Sequence, residues 1–474
     1  MKKFRALCLI FALLLILPSF TPAVAAVDAA DQSITSGCHS VDAALALSDE
    51  AKLTDTAKAA IIYELGSDTM IYAYNPDSRI YPASMVKLMT ALLALEKGDL
   101  EEKVLVTKRA LSNWVPGSVS AGLEPGEELT LRDLLYCMMT ASANDAALVI
   151  AEHIGGTQDT FVKMMNERAA QLGCTGTAYT NSHGLHDEGT YTTARDICRL
   201  LDYALEIPEF KEMFCAEHYT VPATGKSEAR EIYTSNHMMS KHSEKRYFDS
   251  RVTGGKTGAT DEAGRCLAAT AQCGDMELLT IVMGAEPEYE DEDHVSIASY
   301  GSFEETRVLL DHAQENYEFR QVFFDGQTVS QFPVAGGENS VVTRPVKTAS
   351  TVLPVTLDEN KLTWIYGDIV GQLTAPIAEG EKITTVQVWY GSKCLAQSDL
   401  VAANAVKEYT APTAPAEPPE EEPSQAWKWV GIVAAAVLSV AAVLVLIRSV
   451  SKLIRRAIVN ARRRRRRENR RRSR

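Results

Sequence analysis

Three short polar motifs lie in order along this chain of 474 residues: Ser84-Met85-Val86-Lys87, then Ser142-Ala143-Asn144, then Lys256-Thr257-Gly258. Together they offer a hydroxyl nucleophile, amine bases, a second hydroxyl to relay protons and a polar strand edge, which are the parts of a serine acyl-transfer site. They are useful only if the fold gathers them at one place, so the chain has to close a domain around all three. Each is weak alone. Ser-x-x-Lys recurs at Ser449-Val450-Ser451-Lys452, beside an apolar segment where no catalytic pocket fits, and Ser or Asn ahead of a helix is an ordinary cap. Ser-x-Asn and Lys-Thr-Gly occur once each, in contexts that suit their roles.

Pro82-Ala83 precedes Ser84, and Met85, Leu88, Met89, Leu92 and Leu93 then recur at helical spacing with no breaker before Gly98. Ser84 is therefore expected to open a helix. Three residues make close to one turn, which puts the Lys87 amine within reach of the Ser84 hydroxyl. A neutral Lys87 would serve as general base, and burial together with the nearby Lys256 cation would lower its pKa enough. The free N–H groups at the helix start would stabilise negative charge on the oxyanion.

The second motif falls between two apolar helical patterns, Leu131 to Met139 and Ala146 to Ile154, the latter stopped by Gly155-Gly156. Such an interhelical loop is expected to project Ser142 and Asn144 into a cleft. Ser142 would relay a proton between Lys87 and the leaving nitrogen, and Asn144 would bond a substrate amide. The third motif reads as a hairpin: Val252 to Lys256 enters, Gly258 to Gly264 turns, Cys266 to Gln272 returns, and Gly274-Asp275 leads into Glu277 to Met283. Gly258 would let a ligand approach the backbone. Lys256 would raise the positive potential, Thr257 would hold a carboxylate, and the strand edge would pair with an extended peptide.

At these residues the chain resembles the low-molecular-weight penicillin-binding proteins that act as D-alanyl-D-alanine carboxypeptidases. The resemblance extends through Ser142 to Ala147, Asn181-Ser182-His183-Gly184-Leu185, Ser235-Asn236-His237 and Gly255 to Thr260. It implies an α/β (α+β) penicillin-binding, β-lactamase-like serine transpeptidase fold, an antiparallel sheet with a helical cluster over residues 51–315, then a small β-rich domain over 320–405. It also implies that Ser84 attacks the carbonyl between two terminal D-alanines of a peptidoglycan stem peptide, that water releases the acyl-enzyme, and that β-lactams trap Ser84. The family's oxyanion donors map onto the backbone N–H groups of Ser84 and Ala259. No cofactor is implied.

The ends of the chain carry address signals. Residues 1–25 run from Lys2, Lys3 and Arg5 through an apolar core to Ala23-Val24-Ala25, as in a secretory leader, with an extension over 26–50. Trp429 to Ile447 carries no charge and is long enough to cross a bilayer, which sets a transmembrane helix at 427–447. The Arg-rich residues 448–474 behind it are expected to stay in the cytoplasm, with the catalytic domain outside a single-pass membrane anchor. That tail holds 14 basic residues and one acid and the leader three bases; against a net −14, residues 26–447 then carry about −30, a balance that argues against nucleic acid as a partner. Residues 406–426 are expected to be a Pro- and Glu-rich linker, whose stretch Ala411 to Pro423 forms an extended spacer reaching about 40 Å.

Three rival readings remain. A class A β-lactamase would need a further carboxylate for deacylation, and no Glu-x-x-Leu-Asn stretch separates the second and third motifs. A penicillin-binding sensor would acylate with little turnover, and an endopeptidase would act on cross-links. His183, His186 and Asp187 stand at spacings that invite a metal, but no second cluster completes a ligand set, so no metal is expected. Nine cysteines show no zinc spacing, and Cys266 and Cys273 fall on one expected strand, which argues against their pairing.

Overall fold

The structure, a computed structural model, describes residues 47, 52–290, 297–369, 371–391, 393–410 and 433–439. The expected leader, nearly all of the spacer and most of the expected membrane span lie outside them; residues 433–439 are helical. Among the described residues no helix is long and apolar enough to cross a membrane. One compact unit runs to Glu408, and Tyr409 begins a second.

Strands β1 (Ala59–Glu64) and β2 (Thr69–Tyr74) open the catalytic unit, followed by helix α1 (Val86–Lys97) and the short hairpin β3 (Lys103–Leu105) and β4 (Glu128–Thr130). Five helices come next: α2 (Leu131–Met139), α3 (Asn144–Gly155), α4 (Gln158–Gln171), α5 (Ala194–Ala204) and α6 (Pro208–Phe214). A hairpin of β5 (His218–Val221) and β6 (Arg230–Tyr233) precedes the long strands β7 (Val252–Thr260), β8 (Gly264–Cys273) and β9 (Met276–Ala285). After β10 (Glu288–Tyr289) and β11 (Ile297–Ser299), helix α7 (Ser302–Asn316) closes this part.

The main sheet has the order β2-β1-β9-β8-β7, antiparallel throughout, with β7 at one edge. Its strands are apolar on both faces because both are covered. In β1, Ile61 and Tyr63 face the core shared with the helical cluster, while Ala60 and Ile62 face the core closed by Phe303, Leu309 and Leu310 of α7. Helix α2 starts at a complete capping box, Thr130 and Asp133 each bonding the other's backbone N–H, and spans the residues its periodicity marks.

The third motif departs from expectation. Strand β7 does not turn at Gly258 but continues to Thr260, because Gly258, Ala259 and Thr260 each find a partner in Cys266, Arg265 and Gly264. The turn is confined to residues 261–263. The smaller part is β-rich as expected. Strand β12 (Tyr317–Phe323) pairs with β15 (Ala349–Pro354), and β13 (Ser330–Phe332), β14 (Val341–Pro345), β16 (Leu362–Tyr366), β17 (Lys382–Tyr390) and β18 (Lys393–Ala402) form a sheet of order β13-β14-β18-β17-β16. Val352 joins the core under α7, and the hydroxyls of Thr69 and Thr351 lie 3.0 Å apart, so β15 is seated on the catalytic part.

Candidate active site

Ser84 sits in a single 3₁₀ turn, Ala83–Met85, that leads into α1. Ala83 just before it holds φ +47°, a left-handed conformation that a non-glycine residue adopts at a cost of about 1–2 kcal/mol. Two glycines hem in this turn. A Cβ on Gly184 would stand 2.0 Å from the Ala83 carbonyl oxygen, and one on Gly258 would stand 2.8 Å from that of Pro82. Gly258 therefore packs against the protein's own nucleophile turn as well as lining the cavity.

One turn on, the fully buried Lys87 Nζ lies 2.9 Å from Ser84 Oγ, 2.7 Å from Asn144 Oδ1 and 2.5 Å from the His183 carbonyl. The last two atoms only accept, so in the neutral form of the amine they take its two N–H bonds. Its lone pair is then left for Ser84, the one partner with a proton to give. Burial pushes Lys87 well below the ordinary lysine value, the Lys256 charge pushes the same way, and Asp145 opposes them. Burial likewise brings Lys256 down to about 7. His183 is pushed down to about 4 by burial and by Lys87, so it remains neutral at pH 7 and contributes its carbonyl.

Asn144 is the first residue of α3 rather than part of a loop, and its carbonyl oxygen is engaged by Lys87. Ser142 precedes it at φ +62° and accepts a hydrogen bond of 2.8 Å from Lys256, which also donates to the Thr257 carbonyl at 3.0 Å. The expected bridge from Ser142 to Lys87 is thus replaced by one to Lys256, because Lys87 is already bonded to its three partners. Thr257 and Ser235 hydroxyls are 2.6 Å apart.

These groups open on a cavity of about 250 Å³ lined by Ser84, Ser142, Ser235, Thr257, Gly258 and Ala259, with His237, Tyr300 and Phe303 on the wall. His237 stacks on Phe303 with centroids 5.4 Å apart, and burial lowers its pKa. All eight sequence-derived candidates are therefore brought to one place, with Lys87, Asn144 and Lys256 behind the cavity wall.

Sequence reasoning did not anticipate the His183 carbonyl or the buried carboxylate of Asp145. Asp145 accepts from Ser120 Oγ and from the N–H groups of Ala121 and Leu123, and so fixes the loop that carries Val119 to the cavity rim. Arg265 was missed as well, although a charge immediately ahead of the apolar run Cys266 to Ala269 was a readable signal. His186 lies edge-on to Tyr81, and no group of three or more His, Cys, Asp or Glu able to hold a metal occurs among the described residues.

Residues 46–287 match the family described as D-alanyl-D-alanine carboxypeptidase, and residues 317–408 match that described as penicillin-binding protein 5, C-terminal domain. The chain is 31% identical over 368 residues to D-alanyl-D-alanine carboxypeptidase DacF of Bacillus subtilis, covering 75% of this chain and 87% of that protein. It is 28% identical over 366 residues to DacC of Escherichia coli, covering 74% and 84%. The solved penicillin-binding protein 5 of Haemophilus influenzae superposes with a TM-score of 0.57 at 27% identity, over 74% of this chain and 98% of that one.

Proposed function

The chain belongs to the D-alanyl-D-alanine carboxypeptidase family, and from that premise we propose how its site removes the terminal D-alanine of a peptidoglycan stem peptide. The neutral amine of Lys87 takes the proton of Ser84 as Oγ attacks the carbonyl between the two D-alanines. The tetrahedral oxyanion is held by the N–H groups of Ser84 and Ala259. The C–N bond then breaks as the proton taken up by Lys87 is passed through Ser142 and Lys256 to the leaving amine, and D-alanine departs with Lys87 neutral again. Water, deprotonated by Lys87, attacks the ester, and Ser84 recovers its proton as the shortened peptide leaves. A β-lactam follows the first half of this course and stays on Ser84.

The observation that carries the reading is the buried Lys87 amine 2.9 Å from Ser84 Oγ with its other two partners acceptor-only. Binding penicillin fits the same site. The experiment is D-alanine release from an N-acyl-D-alanyl-D-alanine peptide by the full chain, with Ser84→Ala alongside. Release that disappears in the variant supports the reading. Acylation by penicillin without release would point instead to a sensor, and release only from cross-linked dimers to an endopeptidase.

The apolar stretches over residues 1–25 and 427–447, with the arginines behind the second, support an extracytoplasmic catalytic unit on a single membrane anchor. Digestion of intact spheroplasts by an added protease should remove the catalytic unit and spare residues 448–474. Protection of the whole chain would refute this placement.

A further inference from the structure

A second cavity, of about 540 Å³, shares no described lining residue with the catalytic one. Asp77, Arg79, Thr193, Arg195, Asp196 and Arg199 line it, and no described lining residue carries an apolar side chain. The chain builds it at the start of helix α5. Ile80 and Thr192 exchange backbone hydrogen bonds of 2.9 and 3.0 Å in an antiparallel bridge, so Arg79 comes opposite Thr193, the N-cap of α5. Arg195 and Arg199 follow at a spacing of four, on one face of that helix. Three guanidinium groups from two segments thus converge on one hollow.

Two carboxylates answer them. Asp77 accepts from Arg195 Nε at 2.7 Å and from one of its terminal nitrogens at 3.1 Å, and Arg199 donates to Asp196 at 2.6 Å. Asp196 is buried, and its other oxygen is occupied by the Gly176 N–H and the Thr177 hydroxyl. Arg79 is exposed and makes no ion pair among the described residues. Its guanidinium carbon lies 4.4 Å from the centroid of the Tyr191 ring, a stacking contact that uses the flat face and leaves the N–H edges to another partner. The hollow therefore holds one positive charge in surplus, inside a region, residues 26–447, that carries about −30. Like charges at a spacing of four repel, and a bound anion relieves that repulsion. A surplus of one matches a singly charged oxyanion with two oxygens for a guanidinium fork, which is a carboxylate. The acidic surroundings repel a polymer charged at every unit far more than a peptide with one terminal carboxylate. Arg79 is five residues from Ser84, so their Cα atoms are at most about 18 Å apart, a span that a peptide of a few residues covers.

We propose that this cavity is an exosite for the free terminal carboxylate of a second stem peptide on the same glycan strand, held by Arg79 in the field of Arg195 and Arg199 while the first stem is cut at Ser84. This rests on the carboxypeptidase reading above and extends it from a peptide to a strand. Holding one stem raises the local concentration of its neighbour at Ser84 without any new contact in the catalytic cavity.

The test compares a single N-acetylated stem peptide ending in D-alanyl-D-alanine with a glycan strand bearing two such stems, on the full chain and on Arg79→Glu and Arg79→Lys. Arg79→Glu should lower kcat/KM on the two-stem strand by about tenfold, the value of hydrogen bonds to a charged group, and stay within about twofold of wild type on the single stem. Arg79→Lys, which keeps the charge but not the fork, should fall between. A strand whose second stem ends in an amide should react with the wild-type chain at the single-stem rate. Equal losses on both substrates would assign Arg79 a structural role beside the nucleophile turn and overturn the proposal, as would an unchanged rate on the strand. Equilibrium binding to Ser84→Ala, with and without Arg79→Glu, removes turnover from the comparison. A preference for the two-stem strand that vanishes with Arg79→Glu supports the proposal even if the wild-type chain releases no D-alanine, a result that would sink only the carboxypeptidase reading. Oligo(glycerol phosphate) is the competing ligand: binding of it that depends on Arg79, with no such dependence on the strand, would make this a phosphodiester site and overturn the assignment.

Discussion

Gly184→Ala tests how the nucleophile turn is held. The residue has φ +86°, and its Cβ would stand 2.0 Å from Ala83 O, 2.5 Å from Ala83 C and 3.0 Å from Ser84 N. Gly173 supplies the control, since at φ +76° nothing lies within 4 Å of its Cβ. Alanine at position 173 meets only the left-handed backbone term, about 1–2 kcal/mol. For a domain of this size that lowers Tm by about 2–8 °C. At position 184 the same term applies and the Ala83 carbonyl must also retreat by about 1 Å to restore a tolerable contact. It has little freedom to do so, being itself at φ +47° and with the preceding Pro82 carbonyl packed against Gly258. A shift of that size carries Ser84 with it, and a misplacement of about 1 Å costs on the order of 100-fold in rate. Acylation by a fluorescent penicillin, followed on gels, should therefore slow by about two orders of magnitude in Gly184→Ala and stay within about twofold of wild type in Gly173→Ala, with melting curves recorded for both. Wild-type acylation by Gly184→Ala, or an equal loss in Gly173→Ala, would refute the reasoning.

Acylation should rise with pH along a limb centred well below the ordinary lysine value, because Lys87 works as the neutral amine; Lys256→Met removes the neighbouring cation and should move that limb upward in a pH–rate profile. Lys256 itself has a folded pKa of about 7, below its unfolded value, so the unfolded state binds more protons between there and about 10.4 and stability should rise with pH across that window. Urea midpoints should show the rise in wild type and a flatter trend in Lys256→Met. Glu127 is fully buried and 2.5 Å from Arg230, so Glu127→Ala strands a buried guanidinium and should cost about 3–5 kcal/mol in chemical denaturation, against under about 1 kcal/mol for Glu101→Ala at the exposed Arg132 pair. Ser142→Gly and Ser142→Ala both lose the hydroxyl and should both slow acylation, but at φ +62° the glycine variant should be about 1 kcal/mol the more stable. Equal melting temperatures would show that the backbone there carries no strain.

Features set by chain periodicity were legible in the sequence. The 3.6-residue repeat places Lys87 one turn from Ser84, and the distance in the fold is 2.9 Å. The apolar pattern of Leu131 to Met139 gives the bounds of α2, and Gly274-Asp275 marks the turn between β8 and β9. The alternation of Thr and Val from Thr384 to Val388, a period-two pattern, falls within β17. These are local facts, fixed by backbone geometry and side-chain patterning within a few residues.

Where the motifs meet was decided elsewhere. Lys256 turns to Ser142, 114 residues away, and Lys87 to Asn144 and to the carbonyl of His183, 57 and 96 residues away. No local pattern states which amine faces which hydroxyl, because that follows from how the helical cluster sits on the sheet. Continuation of β7 through Thr260 depends on a partner strand, and the role of Gly258 on a turn that precedes it by more than 170 residues. Arg265 is the sharpest case. In the sequence it is one charge beside an apolar run; in the fold it stands opposite Ala259 and lines the cavity of Ser84, with its Nε buried and without a hydrogen-bond partner among the described residues. The sequence by itself determined the chemistry available and the helices and strands that carry it. Only tertiary packing decided how those groups pair, because burial and the choice of hydrogen-bond partner depend on every surface that closes around a side chain.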